Sequence, residues 1–340
     1  KVDNVKVNYF KINKGLEWLS DSGWGLSYQF SVWFLKNYKN YDYIYIRSLW
    51  NFLSLFASFV CILTGKKYII SSSGKFSRYA LKRSIVKKLI SSPLVLILIK
   101  KSIFIHYTTK YEFENTPKFI SKLTNSLILN TSIDILPNNS FKRNNKLNFN
   151  KNLIYTVSRF DEIKRIELLS KVVNQINNDF DIVHIGDYKE NLKYFKKISN
   201  YYKKIKINFD LRNIYKSKES QRIFFPGYLN IKNVNKLNEN YQNSIFVQMS
   251  YSEGQSNSIL EAMARGSICL ISEGCNMETA YKQNALLITD EENLANDINR
   301  ILINEELRKN IIRNQRFYLE KYHSAEKIAE EFNAAITKFI

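Results

Sequence analysis

Apolar and polar residues recur along this 340-residue chain in two periods. Short runs rich in β-branched and aromatic residues read as strands. In the first part these are Val5 to Ile12, Tyr41 to Ile46, Lys67 to Ile70, Ser102 to Tyr107 and Leu127 to Leu129. A second series runs Leu153–Val157, Ile182–Ile185, Ile205–Phe209, Arg222–Phe225, Ser244–Val247, Ile268–Ile271 and Ala285–Ile288. Helical spacing covers Leu26 to Leu35, and Asn51 to Thr64 with Gly65 as its stop. It also covers a basic stretch from Arg78 to Lys101 that Pro93 is expected to interrupt, and the last 50 residues. Strands alternating with helices predict parallel sheets with helices on their faces. The Asn- and Lys-rich segment Pro137 to Asn150 has no apolar period and reads as a linker. The expected division is therefore 1–137, a linker at 138–150, 151–320, and a helical end at 321–340.

A hydrophobic content of 45% supplies cores for two domains of ordinary size. Cys61, Cys269 and Cys275 form no CxxC pair and read as reduced, mostly buried thiols of a cytoplasmic protein. The net charge of +20 is unevenly placed. Residues 1–147 hold 23 Lys+Arg against 7 Asp+Glu, or +16, and the remainder hold 28 against 24, or +4. Two readings stand: an anionic partner for the first half, or a solvated basic surface. From Arg78 to Lys101, Lys82, Arg83, Lys87 and Lys88 lie beside Leu81, Ile85, Val86, Leu89 and Ile90. That is the pattern of a helix lying on an anionic membrane, and also of a core helix with a basic exterior. The aromatics are not interleaved with this cluster, which argues against nucleic acid. The apolar runs Trp50–Leu63 and Leu94–Ile99 are shorter than the roughly 20 residues of a membrane span.

Residues 250–266 concentrate the candidate chemistry. Glu253 lies in a polar loop containing Gly254, Ser256 and Asn257; Glu261 lies in an apolar helical run ending at Gly266, with a strand at Ile268. A helix start presents free N–H groups and suits a phosphate. The bland alternative is a capping box, with Ser258 at the N-cap and Glu261 at N3. Leu153–Val157 is followed by Ser158, Arg159 and a helix expected to begin near Asp161. Lys164 in its first turn opposes the helix dipole and is easier to understand with an anion nearby. Asp179-Phe180-Asp181 reads as a solvated turn, and His106, His184 and His323 lack ligand spacing.

Glu253, Gly254, Asn257, Leu260, Glu261, Ala262, Met263, Ala264 and Gly266 together resemble the signature of the family 4 glycosyltransferases. The resemblance extends over nearly the whole chain, through Tyr41-Asp42 to Ser48-Leu49-Trp50 and through Thr108, Thr109 and Glu112. It implies a GT-B fold, two Rossmann-like α/β domains with parallel sheets facing across a cleft. Residues 1–137 would bind acceptor and 151–320 a nucleotide sugar, with 321–340 packing back toward the first domain. The first recognisable strand resembles the family's second, so the first strand and its Gly-rich loop are expected to be missing.

The implied activity is retaining transfer of a hexosyl unit from a UDP- or GDP-sugar, without metal or other cofactor. By resemblance Arg159 and Lys164 contact the diphosphate, with Ser158 where glycine is usual. Glu261 accepts from ribose hydroxyls, and Glu253 holds the donor sugar near the reacting carbon. Gly254, Ser256, Asn257 and Ser258 form the phosphate-binding helix start. Gly274-Cys275-Asn276-Met277-Glu278 resembles a Gly-Gly-x-x-Glu loop, which makes Glu278 either a donor contact or a loop acid. On the acceptor side Ser73 stands where relatives often carry a histidine; a serine cannot take up a proton near neutral pH. The expected acceptor is a polysaccharide or lipid-linked oligosaccharide of O-antigen, capsule or exopolysaccharide synthesis. The expected location is the cytoplasm, peripheral on the inner face of the membrane. The rival reading is an inactive homologue that binds a glycan or acts as a scaffold.

Overall fold

The computed structural model describes residues 6–13, 25–47, 49–76, 85–135, 152–177, 179–202, 205–211, 221–239 and 244–339. The expected linker Pro137–Asn150 and the first part of the basic helix, 78–84, lie outside them. The chain forms two compact units, one of Lys1–Asn130 with Ala329–Ile340 and one of Thr131–Ile328.

The first unit is built on four parallel strands in the order β1 (Ile44–Arg47), β2 (Tyr68–Ser71), β3 (Phe104–Tyr107), β4 (Asn125–Ile128). Its main helices are α1 (Tyr28–Asn37), α2 (Phe52–Thr64) and α3 (Ile85–Lys101). Each has a local cause. Ser27 caps α1 by accepting from Phe30 N–H. Asn51 caps α2 by accepting from Ser54 N–H, and Gly65 ends it at φ 66°, where a left-handed residue costs least. The two-residue period of the strands sends Ile46, Tyr68, Ile70, Ile105 and Tyr107 into one core with Leu55, Val60 and Leu98. Tyr45, Phe104 and His106 have the opposite parity and meet Phe332 of the C-terminal helix Ala325–Phe339.

Two expectations fail here. Residues 6–13 form no strand, because their polar groups are engaged at the start of α1: Asn13 N–H donates to Leu26 O, and Lys11 O accepts from Ser27 Oγ. Pro93 does not interrupt α3. A proline removes one helical bond, but Val95, Leu98 and Ile99 beyond it are buried and keep the helix in line.

The second unit holds seven parallel strands: β5 (Asn152–Val157), β6 (Phe180–Ile185), β7 (Ile207–Asn208), β8 (Gln221–Gly227), β9 (Ser244–Gln248), β10 (Ile268–Ile271) and β11 (Leu287–Ile288). Their order is β11-β10-β9-β5-β6-β8-β7. Separate apolar cores cover the two faces, so β6 is buried at every position. This overturns the solvated turn expected at Asp179–Asp181. Asp181 lies inside β6, fully buried, and accepts two bonds of 2.6 Å from the Arg222 guanidinium of β8. Burying a charge is tolerable when a bidentate partner comes with it. His184 on the same strand is also buried, between Thr156 and Tyr202; burial pushes its pKa down to about 3, so it is neutral.

The Asp181–Arg222 pair yields a stability prediction. Asp181→Asn removes the carboxylate from a buried guanidinium and is expected to cost about 3–5 kcal/mol. Replacing both residues by leucine should restore most of that loss. Urea unfolding of the two variants checks both outcomes.

Candidate active site

β5 and β9 are adjacent and parallel, yet the chain leaves them in opposite directions. From β5 it proceeds toward β6 and β8; from β9 it proceeds toward β10 and β11. Such a switch point leaves a crevice outside the carboxyl ends of the strands, where α/β proteins place their ligands. Ser158 and Arg159 follow β5, and the loop from Met249 to Ser256 follows β9.

The two loops are fastened together. After β5, Asp161 caps a single 3-10 turn, Glu162–Lys164, by accepting from Ile163 N–H. Arg165 then turns left-handed at φ 49°, and the α-helix α4 (Glu167–Val172) starts only after it. The helical start expected near Asp161 is therefore this 3-10 turn, and the α-helix follows it. Lys164 sits in the turn that precedes it, and its Nζ lies 2.5 Å from Glu253 Oε1. Both side chains are mostly buried, 15% and 16% exposed. Tyr251 N–H donates to Ile163 O at 2.9 Å, and the Arg165 guanidinium lies 4.5 Å from the Tyr251 ring centre.

Gln248, the last residue of β9, organises the rest. Its Nε2 donates to Ser256 Oγ at 2.9 Å and to Glu253 Oε1 at 3.1 Å. Its Oε1 accepts from Ser258 Oγ at 2.8 Å. One buried amide thus holds Glu253 and the start of helix α5 (Asn257–Ala264). Sequence reasoning stopped the strand at Val247 and missed this residue. The available signal was a lone amide closing the apolar run Ile245-Phe246-Val247.

The capping box is not formed. Ser256, not Ser258, occupies the N-cap of α5, and its side chain makes no capping bond. Glu261 instead accepts from Arg265 at 3.2 Å, one turn on, and stays about a third exposed. Asn257 is exposed at the first helical position. Gly254 belongs to the bend before it.

The loop after β10 closes on Glu253 as well. Glu253 N–H donates to Gly274 O at 2.8 Å, and Asn276 Nδ2 donates to Glu253 O at 2.6 Å. A Cβ on Gly274 would lie 2.4 Å from Ser250 O and Tyr251 O, so only glycine allows this approach. Cys275 is buried, and burial pushes its thiol up to about 11. Glu278 stands outside the group: it is exposed and pairs with Lys282 at 3.6 Å. It lines a cavity of about 500 Å³ together with Gly274 and Asn276. Arg159 is exposed and makes no ion pair among the described residues.

Ser73 belongs to the first unit, after β2. It is left-handed at φ 45°, and its Oγ accepts from Arg47 Nε at 3.0 Å. The turn is held by buried Glu112, which accepts from Ser72 Oγ, Gly74 N–H and both the N–H and hydroxyl of Thr108. No group of three potential metal ligands occurs among the described residues.

No curated protein sequence matches the chain. Solved structures do. Sucrose-phosphate synthase from Thermosynechococcus elongatus superposes with a TM-score of 0.69 at 17% identity, over 99% of this chain and 82% of that one. Anabaena HepE, in complex with UDP and glucose, gives 0.70 at 14% identity, over 91% and 81%. A glycosyltransferase from Rickettsia africae gives 0.64 at 15% identity, over 98% and 84%. These likenesses and the two parallel sheets define the GT-B fold. Residues 138–317, more than half of the chain, match the family described as glycosyl transferases group 1. The protein is therefore a glycosyltransferase, a member of the group 1 family.

Proposed function

We propose that this chain moves a hexosyl unit from a UDP- or GDP-sugar, with retention of anomeric configuration, to a polysaccharide or lipid-linked oligosaccharide acceptor. The observation that carries the reading is the Lys164–Glu253 pair at the switch point, which joins the loop that carries Arg159 to the loop that leads into α5. On this reading the pair would offer a cation to the leaving diphosphate and a carboxylate to the sugar hydroxyls.

In the transfer the bond from C1 of the sugar to the diphosphate oxygen breaks. A bond from the acceptor oxygen to C1 forms, and the acceptor proton passes to the departing diphosphate. The developing negative charge falls on the leaving group. Arg159, Lys164 and the α5 N–H groups are the donors that would meet it, and fixed donors placed there lower the barrier by several kcal/mol. Glu261, still partly exposed beside Arg265, would accept from ribose hydroxyls. Glu253, fixed by Lys164, Gln248 and Gly274, would orient the sugar. Glu278 is a weaker donor-site candidate because its carboxylate lies in a surface pair. The reading needs no metal. The basic first unit fits a phosphorylated or membrane-bound acceptor, with the protein cytoplasmic and peripheral on the inner membrane face.

HepE was solved with UDP and glucose, which makes UDP-glucose the first donor to try. Arg159→Ala is expected to lower donor turnover about 100-fold without moving the melting midpoint, since the side chain is exposed. Turnover equal to wild type would contradict the proposal. Gln248→Met keeps the side chain's bulk but strands Ser256, Ser258 and Glu253. It should cost about 1–3 kcal/mol and raise KM for the donor, as thermal unfolding and initial-rate kinetics would show. An unchanged KM would remove Gln248 from the positioning of Glu253.

A further inference from the structure

The strand order β1-β2-β3-β4 advances one strand at a time in one direction. Right-handed crossovers then place α2 and α3 on the same face of the sheet, and the two helices pack against each other. Their inner sides fill the core through Leu55, Val60, Cys61, Val95, Leu98 and Ile99. Their outer sides are also apolar. On α2, Phe59 and Leu63 lie one turn apart and are 47% and 68% exposed. On α3, Leu94 and Ile97 do the same at 41% and 54%. Scattered exposed apolar residues need no explanation; a stripe on each of two neighbouring helices does.

The stretch of sequence that carries both helices is basic. Residues 43–111 contain twelve Lys and Arg and no Asp or Glu. Both helices run back from the carboxyl edge of the sheet to its amino edge, so their ends lie together. Lys66 and Lys67 follow α2, and Lys100 and Lys101 close α3. Cations at helix C-termini are favoured by the dipole, which accounts for the lysines alone. It does not account for Leu63 and Ile97 exposed one turn before them.

We infer that the outer face of α2 and α3 docks onto an anionic lipid surface, with Phe59, Leu63, Leu94 and Ile97 entering the acyl boundary and Lys66, Lys67, Lys100 and Lys101 meeting the headgroups. Interfacial binding adds buried apolar area to the attraction between basic residues and anionic lipids, and this face offers both. No helix among the described residues is long and apolar enough to cross a membrane, so the contact is a surface one. The inference gives a location to the membrane attachment proposed above and does not depend on the transfer chemistry.

Flotation tests it, with vesicles of phosphatidylcholine alone and vesicles in which about a third is phosphatidylglycerol. Wild type should float with the anionic vesicles and not the neutral ones, and added salt should weaken the binding. Phe59→Glu with Leu63→Glu should reduce the bound fraction at least tenfold. Lys100→Glu with Lys101→Glu should reduce it to a similar degree. Both variants should keep the wild-type melting midpoint, because all four positions are exposed. Donor turnover in free solution, read in the same samples, reports on the catalytic reading separately. Absence of wild-type binding, equal binding to neutral vesicles, or unchanged binding by the Phe59→Glu, Leu63→Glu variant would each overturn the inference. So would a dimer in lipid-free solution that the same variant disperses, since a second copy would then cover the face.

Discussion

A lysine and a glutamate 89 residues apart in sequence meet at 2.5 Å, mostly out of water, and the architecture of the second unit converges on that contact. Neither charge could be buried alone at that depth without a large desolvation cost. Their meeting requires β5 and β9 to be neighbours, so that the loops leaving their carboxyl ends start side by side. It requires Arg165 to turn left-handed, which places Lys164 in a turn ahead of helix α4. It also requires glycine at position 274, because any side chain there would strike the backbone at Ser250 and Tyr251.

The pair also explains how the site can be stable before a substrate arrives. Lys164 neutralises Glu253, and Gln248 satisfies the same carboxylate oxygen from the other side. On the proposed reading, an arriving diphosphate would offer Lys164 a second anion while Glu253 turned to sugar hydroxyls. Arg159, exposed and outside any ion pair among the described residues, would add its charge without a bond having to break first. Catalytic donors fixed in advance do not have to be reorganised when charge develops. Within this frame Gln248, Asn276 and Gly274 position the acid and need not touch the sugar themselves.

The parallel α/β organisation and most strands could be read from apolar runs separated by helical spacing, because that pattern reflects which side of each element is buried. Glu253, Glu261 and Lys164 could be read from residue types in a recognisable order. What escaped depends on contacts distant in sequence. Asp181 reads as a solvated turn until Arg222 of the neighbouring strand is seen beside it. Ser258 and Glu261 have capping-box spacing, but Gln248 draws the Ser258 hydroxyl away and Arg265 takes the carboxylate. The segment from Val5 to Ile12 has a strand's alternation, yet its bonds go to a helix start. Pro93 carries a local penalty that burial on its far side outweighs. In each case tertiary partners decided between local alternatives of similar energy.

On the proposed reading, the switch point of the second unit binds a nucleoside diphosphate through Lys164 and Arg159. Calorimetric titration of UDP and GDP into wild type and into an Arg159→Ala, Lys164→Met double variant tests it most directly. One of the two diphosphates should bind wild type, more weakly as salt is raised, and the double variant should lose at least tenfold in affinity. Equal affinity in both proteins, or no binding of either nucleotide to wild type, would contradict it.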